Sequence, residues 1–241
     1  MEGLKVPIEF WIPFPGVGKD DAIILTSTLV VVGLVLLLSI LATRRMSLKP
    51  KGLQNLLEIV TDWLVEMLQS MVGRNGPRYV PFIASLFLFI LFSNIIGFIP
   101  GVVSPTSNIN TNLALAAVVV FVATPLVGIR ALGVKGYLRE KGGPVVFLSP
   151  LVFLFETIGE LARPVSLSIR LFTNIKSGDI LLLTLIVMFV GMPYNPLIPV
   201  LSLISMVLGL FVAFVQAYVF AFLTVVYFAG ASGWGEAHHQ E

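Results

Sequence analysis

The stretch that decides the fold is ARPVSLSIRLFTNIKSGDI, residues 162–180. It lies between two apolar runs, VVFLSPLVFLF at residues 145–155 and LLLTLIVMFVGM at residues 181–192. As one helix, residues 145–192 would measure roughly 70 Å, more than twice the ~30 Å core of a bilayer. The segment therefore predicts a long helix that either lies steeply tilted in a membrane or breaks into two spans. It also carries charged side chains at depths where a bilayer makes each of them costly.

The composition indicates an integral membrane protein. Hydrophobic residues make up 57% of the chain and charged residues 12%, whereas a soluble domain is about one quarter charged. Many apolar segments are far longer than strands, which favours helices over a barrel. The absence of cysteine excludes disulfides and thiolate chemistry, and a net charge of +2 gives no support for nucleic-acid binding.

The apolar runs predict an all-α membrane protein, with about five membrane helices and one interfacial amphipathic helix in a single domain, residues 1–241. The predicted segments are a first span at 22–42, an interfacial helix at 52–73, a second span at 79–100, a third span at 112–130 and a long tilted hairpin at 145–191 and 197–230. The interfacial helix is assigned because apolar residues recur every three or four positions, with acidic side chains opposite. A coiled-coil arm is the alternative for it.

The basic residues predict the orientation. Basic clusters follow the first and third spans, at residues 44–51 and 130–141, while the loop SPTSNINTN, residues 104–112, contains neither Lys nor Arg. The positive-inside rule then puts the N-terminus outside and the C-terminus in the cytoplasm.

Polar residues form one stripe along the long helix. At 100° per residue, seven side chains between positions 156 and 177 fall on the same side. They are Glu156, Glu160, Arg163, Ser166, Arg170, Asn174 and Ser177. Arg170 keeps its charge in practice, so it needs an anionic partner or water, and we expect that partner on another subunit. Polar contacts between helices, including a Glu160–Arg163 ion pair, are the alternative.

Specific motifs resemble subunit a of the bacterial F-type rotary ATP synthase. The strongest are ARPVSLSIRLFTN, followed by GD, and FVQAYVFAFLTVVY at residues 214–227 on the next helix. PIEFWIP, SNIIGFIPG and PTSNINTNLALA also resemble that family, so the match extends over nearly the whole chain.

The resemblance implies a stator that faces a rotating c-ring, each ring subunit carrying a mid-membrane carboxylate. Arg170 matches the family's essential Arg, and two offset aqueous half-channels would lead H⁺ or Na⁺ to and from the ring. The other partners implied are the peripheral-stalk b subunits and the lipid of a bacterial cell membrane. No ATP site is expected, because the chain has no phosphate-binding Gly-rich loop.

Further site residues follow from the same resemblance, except Lys176, which is included for its position between Arg170 and Asp179. They are Asn174, Lys176, Asp179, Gln216, Glu156, Glu160, Arg163 and Ser166. Gln216 is suited to hydrogen-bond Arg170 from the second helix, and Asp179 to the outer half-channel. Glu156, Ser166 and Glu160 would line the cytoplasmic exit, and Arg163 matches a basic position of the family.

Lys176 departs from the family pattern. It either pairs with Asp179 and tunes the pH at which protons enter, or extends toward the outer interface. Two other functions stay open: a secondary transporter that uses Arg170 and Asp179, and a non-conducting scaffold for a peripheral stalk. We expect no cofactor and no metal, and we interpret His238 and His239 as solvated tail residues.

Overall fold

The computed structural model describes residue 12 and residues 18–44, 52–99, 102–141, 149–191 and 197–232. Every regular element in these ranges is helical, which confirms the predicted all-α fold class. The α-helices are α1 (Lys19–Thr43), α2 (Leu53–Val72), α3 (Val80–Ile96), α4 (Ile109–Ala117), α5 (Thr124–Lys141), α6 (Ser149–Gly191) and α7 (Leu197–Ala231). Short 3-10 helices, Gly76–Tyr79 and Pro105–Ser107, precede α3 and α4, and a π-helical segment, Val118–Ala123, joins α4 to α5.

Within the described residues, four helical stretches are long and apolar enough to cross a membrane, so the chain is a multi-pass membrane protein. They are Asp21–Thr43, Gly76–Ile96, Ile109–Tyr137 and Pro199–Ala231. The expected count of about five crossings includes α6 and stays a prediction. Residues 192–196 of the predicted turn and the terminal segments, including His238 and His239, lie outside the described residues.

The amphipathic helix α2 packs against α3 and α7 through its C-terminal half. Leu64, Leu68 and Val72 are buried there, at the spacing of one helical face. Trp63 extends this contact, since its ring centroid lies 6.0 Å from that of Phe87 and 5.3 Å from that of Tyr218. The apolar face predicted from the sequence is therefore covered by protein over this half of the helix.

The third span is irregular at two points. The π-helical segment ends at Ala123, directly before Thr124 and Pro125. Proline lacks the N–H that an α-helix needs. Thr124 Oγ1 donates to the carbonyl oxygen of Val119 at 2.8 Å. Gly133 has φ +72°, a conformation that favours glycine, and it breaks the helical path within α5. The break at Gly133 was not predicted from the sequence.

Helices α6 and α7 pack against each other along the predicted hairpin. Three small side chains four residues apart on α7, Ala213, Ala217 and Ala221, are buried, and small residues let helix backbones approach closely. Helix α6 continues without interruption past Pro164, so the alternative of two separate spans does not apply to residues 149–191. The hydroxyl of Ser168 donates to the carbonyl oxygen of Pro164 at 2.7 Å, a bond that serine commonly makes one turn back along its own helix.

Candidate functional site

Arg170 lies on the exposed side of α6. Its helical neighbours Ser166, Thr173 and Ser177 are exposed as well, whereas Leu171 is fully buried. The guanidinium makes no hydrogen bond or ion pair with any residue that the structure describes. A permanent cation is thus presented on a stripe of small side chains, beside the exposed apolar side chains of Val165 and Ile169, within a hairpin of a membrane protein.

A hydrogen bond joins the two long helices one turn from Arg170. Asn174 Nδ2 donates to Gln216 Oε1 at 2.6 Å, and Gln216 is only 4% exposed. Gln216 was expected to bond Arg170, and in the structure it bonds Asn174 instead. The bond orients both amides and holds α6 to α7 at this level.

The remainder of the polar stripe follows the edge between the buried and exposed sides of α6. Glu160, Arg163 and Asn174 are half-buried, and Ser166 is exposed. The Cζ atom of Arg163 lies 4.9 Å from the ring centroid of Tyr227, so its charge faces an aromatic ring of α7. The backbones of Glu156 and Asp179 lie within α6, but their side chains lie outside what the structure describes.

Lys176 lines a cavity of about 410 Å³. Part of the wall comes from Ile23 of α1 and from residues 103 and 107–109, in and beside the loop predicted to be external. Ser107, Asn108 and Lys176 contribute polar groups, so the cavity suits water or a small polar solute. The Nζ atom of Lys176 lies 6.0 Å from the ring centroid of Phe172, which also faces the cavity.

A buried polar cluster, to which the sequence had given no role, lies behind the loop. Ser104 Oγ donates to the carbonyl oxygen of Ser93 at 2.6 Å and lies 2.8 Å from Thr106 Oγ1. Thr106 Oγ1 donates to Asn94 Oδ1 at 2.9 Å, and Asn112 Nδ2 donates to the carbonyl oxygen of Thr106 at 2.8 Å. All of these residues except Ser104 come from segments quoted for the family resemblance, but the sequence did not reveal that they contact one another.

Helix α7 also contacts the end of the second span. A side chain at Gly209 would place its Cβ 2.6 Å from Cε1 of Phe98, closer than real Cβ contacts allow. The missing side chain therefore makes room for the Phe98 ring, in the same helix that carries Gln216.

Comparison with known proteins identifies the family. The family model for the ATP synthase A chain matches residues 24–229. ATP synthase subunit a 3 of Pelobacter propionicus is 43% identical over 204 residues, 85% of each chain. ATP synthase subunit a of Geobacter sp. strain M21 is 43% identical over 211 residues, 88% of this chain and 87% of the relative. ATP synthase subunit a 1 of Syntrophotalea carbinolica is 47% identical over 194 residues, 80% of this chain and 78% of the relative.

These matches extend over both long helices, the second and third spans and the loop between them. They confirm the resemblance found in the sequence and support a non-catalytic membrane subunit rather than an enzyme. The chain belongs to the ATP synthase A chain family.

Proposed function

We propose that the chain is the stator of the membrane sector of an F-type ATP synthase, and that Arg170 couples ion movement to rotation of a c-ring. The observation that carries the proposal is the exposed guanidinium on α6, which no described side chain of this protein satisfies. A buried or membrane-embedded Arg needs an anion, because it does not lose its proton. A carboxylate on a neighbouring ring subunit supplies that anion.

The surface around Arg170 fits a moving partner. Ala162, Ser166, Thr173 and Ser177 are exposed at spacings of three or four residues and lie in line with Arg170. Small side chains allow another helix to approach closely and leave no deep sockets that would hold it in one position.

The chemistry follows from a fixed positive charge. Arg170 keeps a passing carboxylate ionised, and it repels a cation that would otherwise leak directly between the two half-channels. An ion that enters from outside neutralises a ring carboxylate, travels with the ring through almost one turn and leaves toward the cytoplasm. The membrane potential drives this movement with about 2.3 kcal/mol per charge per 100 mV.

The two half-channels are assigned to opposite ends of the polar stripe. The cavity beside Lys176 borders the loop predicted to be external, so we assign it, with Asp179, to the outer half-channel. Glu156, Glu160 and Ser166 are assigned to the cytoplasmic exit, one to four turns before Arg170. Asn174 and Gln216, which bond each other, are assigned to the position between the two half-channels. Arg163 is assigned a structural role, because it packs on Tyr227 of α7.

The remaining partners and the location complete the proposal. The subunit lies in a bacterial cell membrane with its N-terminus outside and its C-terminus in the cytoplasm, beside the c-ring and the peripheral-stalk b subunits. The alternatives of a secondary transporter and of a non-conducting scaffold gain no specific support from the described residues.

Replacement of Arg170 tests the proposal. Inverted membrane vesicles that contain the complete complex with Arg170→Ala should lose ATP-driven ion pumping. Without the guanidinium, no positive charge displaces the bound ion from the ring carboxylate. The matched control is Thr173→Ala, on the same exposed surface, which should pump normally. An immunoblot for the subunit in both membranes checks that assembly is equal. If Arg170→Ala vesicles pump as the unmodified ones do, the scaffold alternative holds instead.

A further inference from the structure

We propose that Tyr227 is a positioning residue that holds the guanidinium of Arg163 against α7, so that the c-ring carboxylate meets Arg170 and not a second cation. The observation that carries this inference is a contact between the two long helices. The Cζ atom of Arg163 lies 4.9 Å from the centroid of the Tyr227 ring. The inference rests on the proposed function and deepens it, because it concerns the other arginine of the same stripe.

Arg163 and Arg170 lie on the same side of α6. They are seven residues apart, which is within about 20° of two full turns and amounts to roughly 10 Å along the helix axis. Lys176 lies about 120° away from Arg170 around the helix, and it lines the cavity beside the loop of residues 103–109. Arg163 is therefore the cation of α6 that could compete with Arg170 for an anion on this side.

The two arginines differ in their surroundings. Arg170 is exposed and makes no hydrogen bond or ion pair with a described residue, whereas Arg163 is half-buried and its guanidinium faces an aromatic ring. Neither loses its proton in practice, so the charge of each has to be compensated. The electron-rich face of Tyr227 attracts a guanidinium and compensates part of the charge of Arg163 within this chain.

The position of Tyr227 determines the direction of this attraction. Tyr227 belongs to α7, is half-buried and packs against the buried apolar core, so its aromatic ring is a fixed surface. Glu160, three residues before Arg163, can attract the guanidinium along α6, whereas Tyr227 draws it across to α7. The contact with Tyr227 thus keeps the charge of Arg163 away from the exposed side of α6.

Loss of the aromatic ring would return this freedom to Arg163. The side chain of arginine is long enough to reach groups about one turn away along a helix. In the proposed function, the passing c-ring carboxylate is the mobile anion on this side, and an ion pair with Arg163 would hold it away from Arg170. Rotation would then have to break an additional ion pair at each step, so it would slow without opening a leak.

Replacement of Tyr227 tests this inference in inverted vesicles that contain the complete complex. Tyr227→Leu should lower ATP-driven ion pumping and ATP hydrolysis together, each about fivefold, the size of effect expected for one cation–π contact. Tyr227→Phe keeps the aromatic ring and should keep both rates. Phe222→Leu is the matched control, because Phe222 is also a half-buried aromatic residue of α7 but stacks on Tyr218, and it should keep both rates as well.

Three results in these variants would overturn the inference. The first is an unchanged rate in Tyr227→Leu, and the second is an equal loss in Phe222→Leu. The third is a loss of pumping in Tyr227→Leu while hydrolysis continues, since that pattern indicates a leak rather than a held c-ring.

A second substitution separates positioning from packing. Arg163→Gln added to Tyr227→Leu should restore most of the lost rate, because no second guanidinium is left to capture the c-ring carboxylate. If Tyr227 only packs α7 against α6, the double variant stays as slow as Tyr227→Leu or becomes slower, and the inference is wrong. If an immunoblot shows that Tyr227→Leu does not assemble, Tyr227→Met fills the space without an aromatic face, and the same comparison with and without Arg163→Gln decides.

Arg170→Ala in the same assay separates this inference from the proposed function. If Arg170→Ala abolishes pumping while Tyr227→Leu pumps at the normal rate, the positioning role of Tyr227 is wrong and the role of Arg170 stands. If Arg170→Ala vesicles pump normally, the proposed function is wrong, and the inference that rests on it is wrong too.

Discussion

At the scale of single residues, the described part of the site depends on one contact between α6 and α7. The family resemblance implied that Asn174 and Gln216 belong to the site. It did not predict that they bond each other, because Gln216 lies on a neighbouring helix and its amide could reach more than one partner. The packing of the two helix backbones determines which of these partners the Gln216 amide bonds.

Removal of one member of this pair should destabilise the protein. Gln216→Leu leaves the Asn174 amide partly buried without its acceptor, which costs about 1–3 kcal/mol. The double variant Asn174→Leu with Gln216→Leu should lose less than the sum of the two single variants, because neither amide is then unsatisfied. Thermal unfolding of the purified chain in detergent measures the effect, and exposed Thr173→Val is the control. Additive losses would contradict a direct interaction.

Gly209 gives a second prediction at this scale. Gly209→Ala should destabilise the protein by about 1–3 kcal/mol, because the new Cβ forces the Phe98 ring to move. Phe98→Ala in the same chain should recover part of that loss. Gly159→Ala in α6 is the matched control, since nothing lies within 4 Å of a Cβ there, and it should be neutral or stabilising. The same unfolding measurement applies, and equal losses at both glycines would contradict the role of Phe98.

At the scale of helices and loops, hydrophobic runs set the lengths of the apolar elements, and a sequence displays such runs directly. The first span was expected at 22–42 and is part of Lys19–Thr43, and the amphipathic helix was expected at 52–73 and is Leu53–Val72. The break at Gly133 was not predicted, because glycine is permitted inside a helix and only the surroundings decide its φ. The buried cluster around Thr106 was missed because the sequence does not show that the loop folds back onto the end of α3.

The cluster should fix the loop between the second and third spans. Thr106→Val keeps the shape of the side chain but removes the hydroxyl that donates to Asn94 Oδ1, so a buried acceptor loses its partner at a cost of about 1–3 kcal/mol. Hydrogen exchange of residues 102–112 should become faster. Asn110→Ala, in the same loop but exposed, should leave the exchange rate unchanged. Unchanged exchange in Thr106→Val would mean that the apolar contacts alone hold the loop.

At the scale of the whole molecule, composition and apolar length predicted the membrane class and the family motifs predicted the relatives. In the proposed function, the surface that carries Arg170 faces another chain, because no described residue satisfies its exposed cation. The sequence of this chain alone would then contain only one half of that proposed interface. The proposed orientation in the membrane, in contrast, is predicted from this chain alone, by the uneven distribution of its basic residues.

The orientation can be tested with single cysteines, because the natural chain has none. Asn110→Cys should react with a membrane-impermeant maleimide added to intact cells, since residues 104–112 contain no Lys or Arg. Lys135→Cys lies in the basic segment after the third span, and it should react only in inverted vesicles. Both positions are exposed, so a difference in labelling reports the side of the membrane rather than burial. The reverse pattern would place the Lys176 cavity on the cytoplasmic side, and the outer and inner half-channels proposed for this subunit would then exchange places.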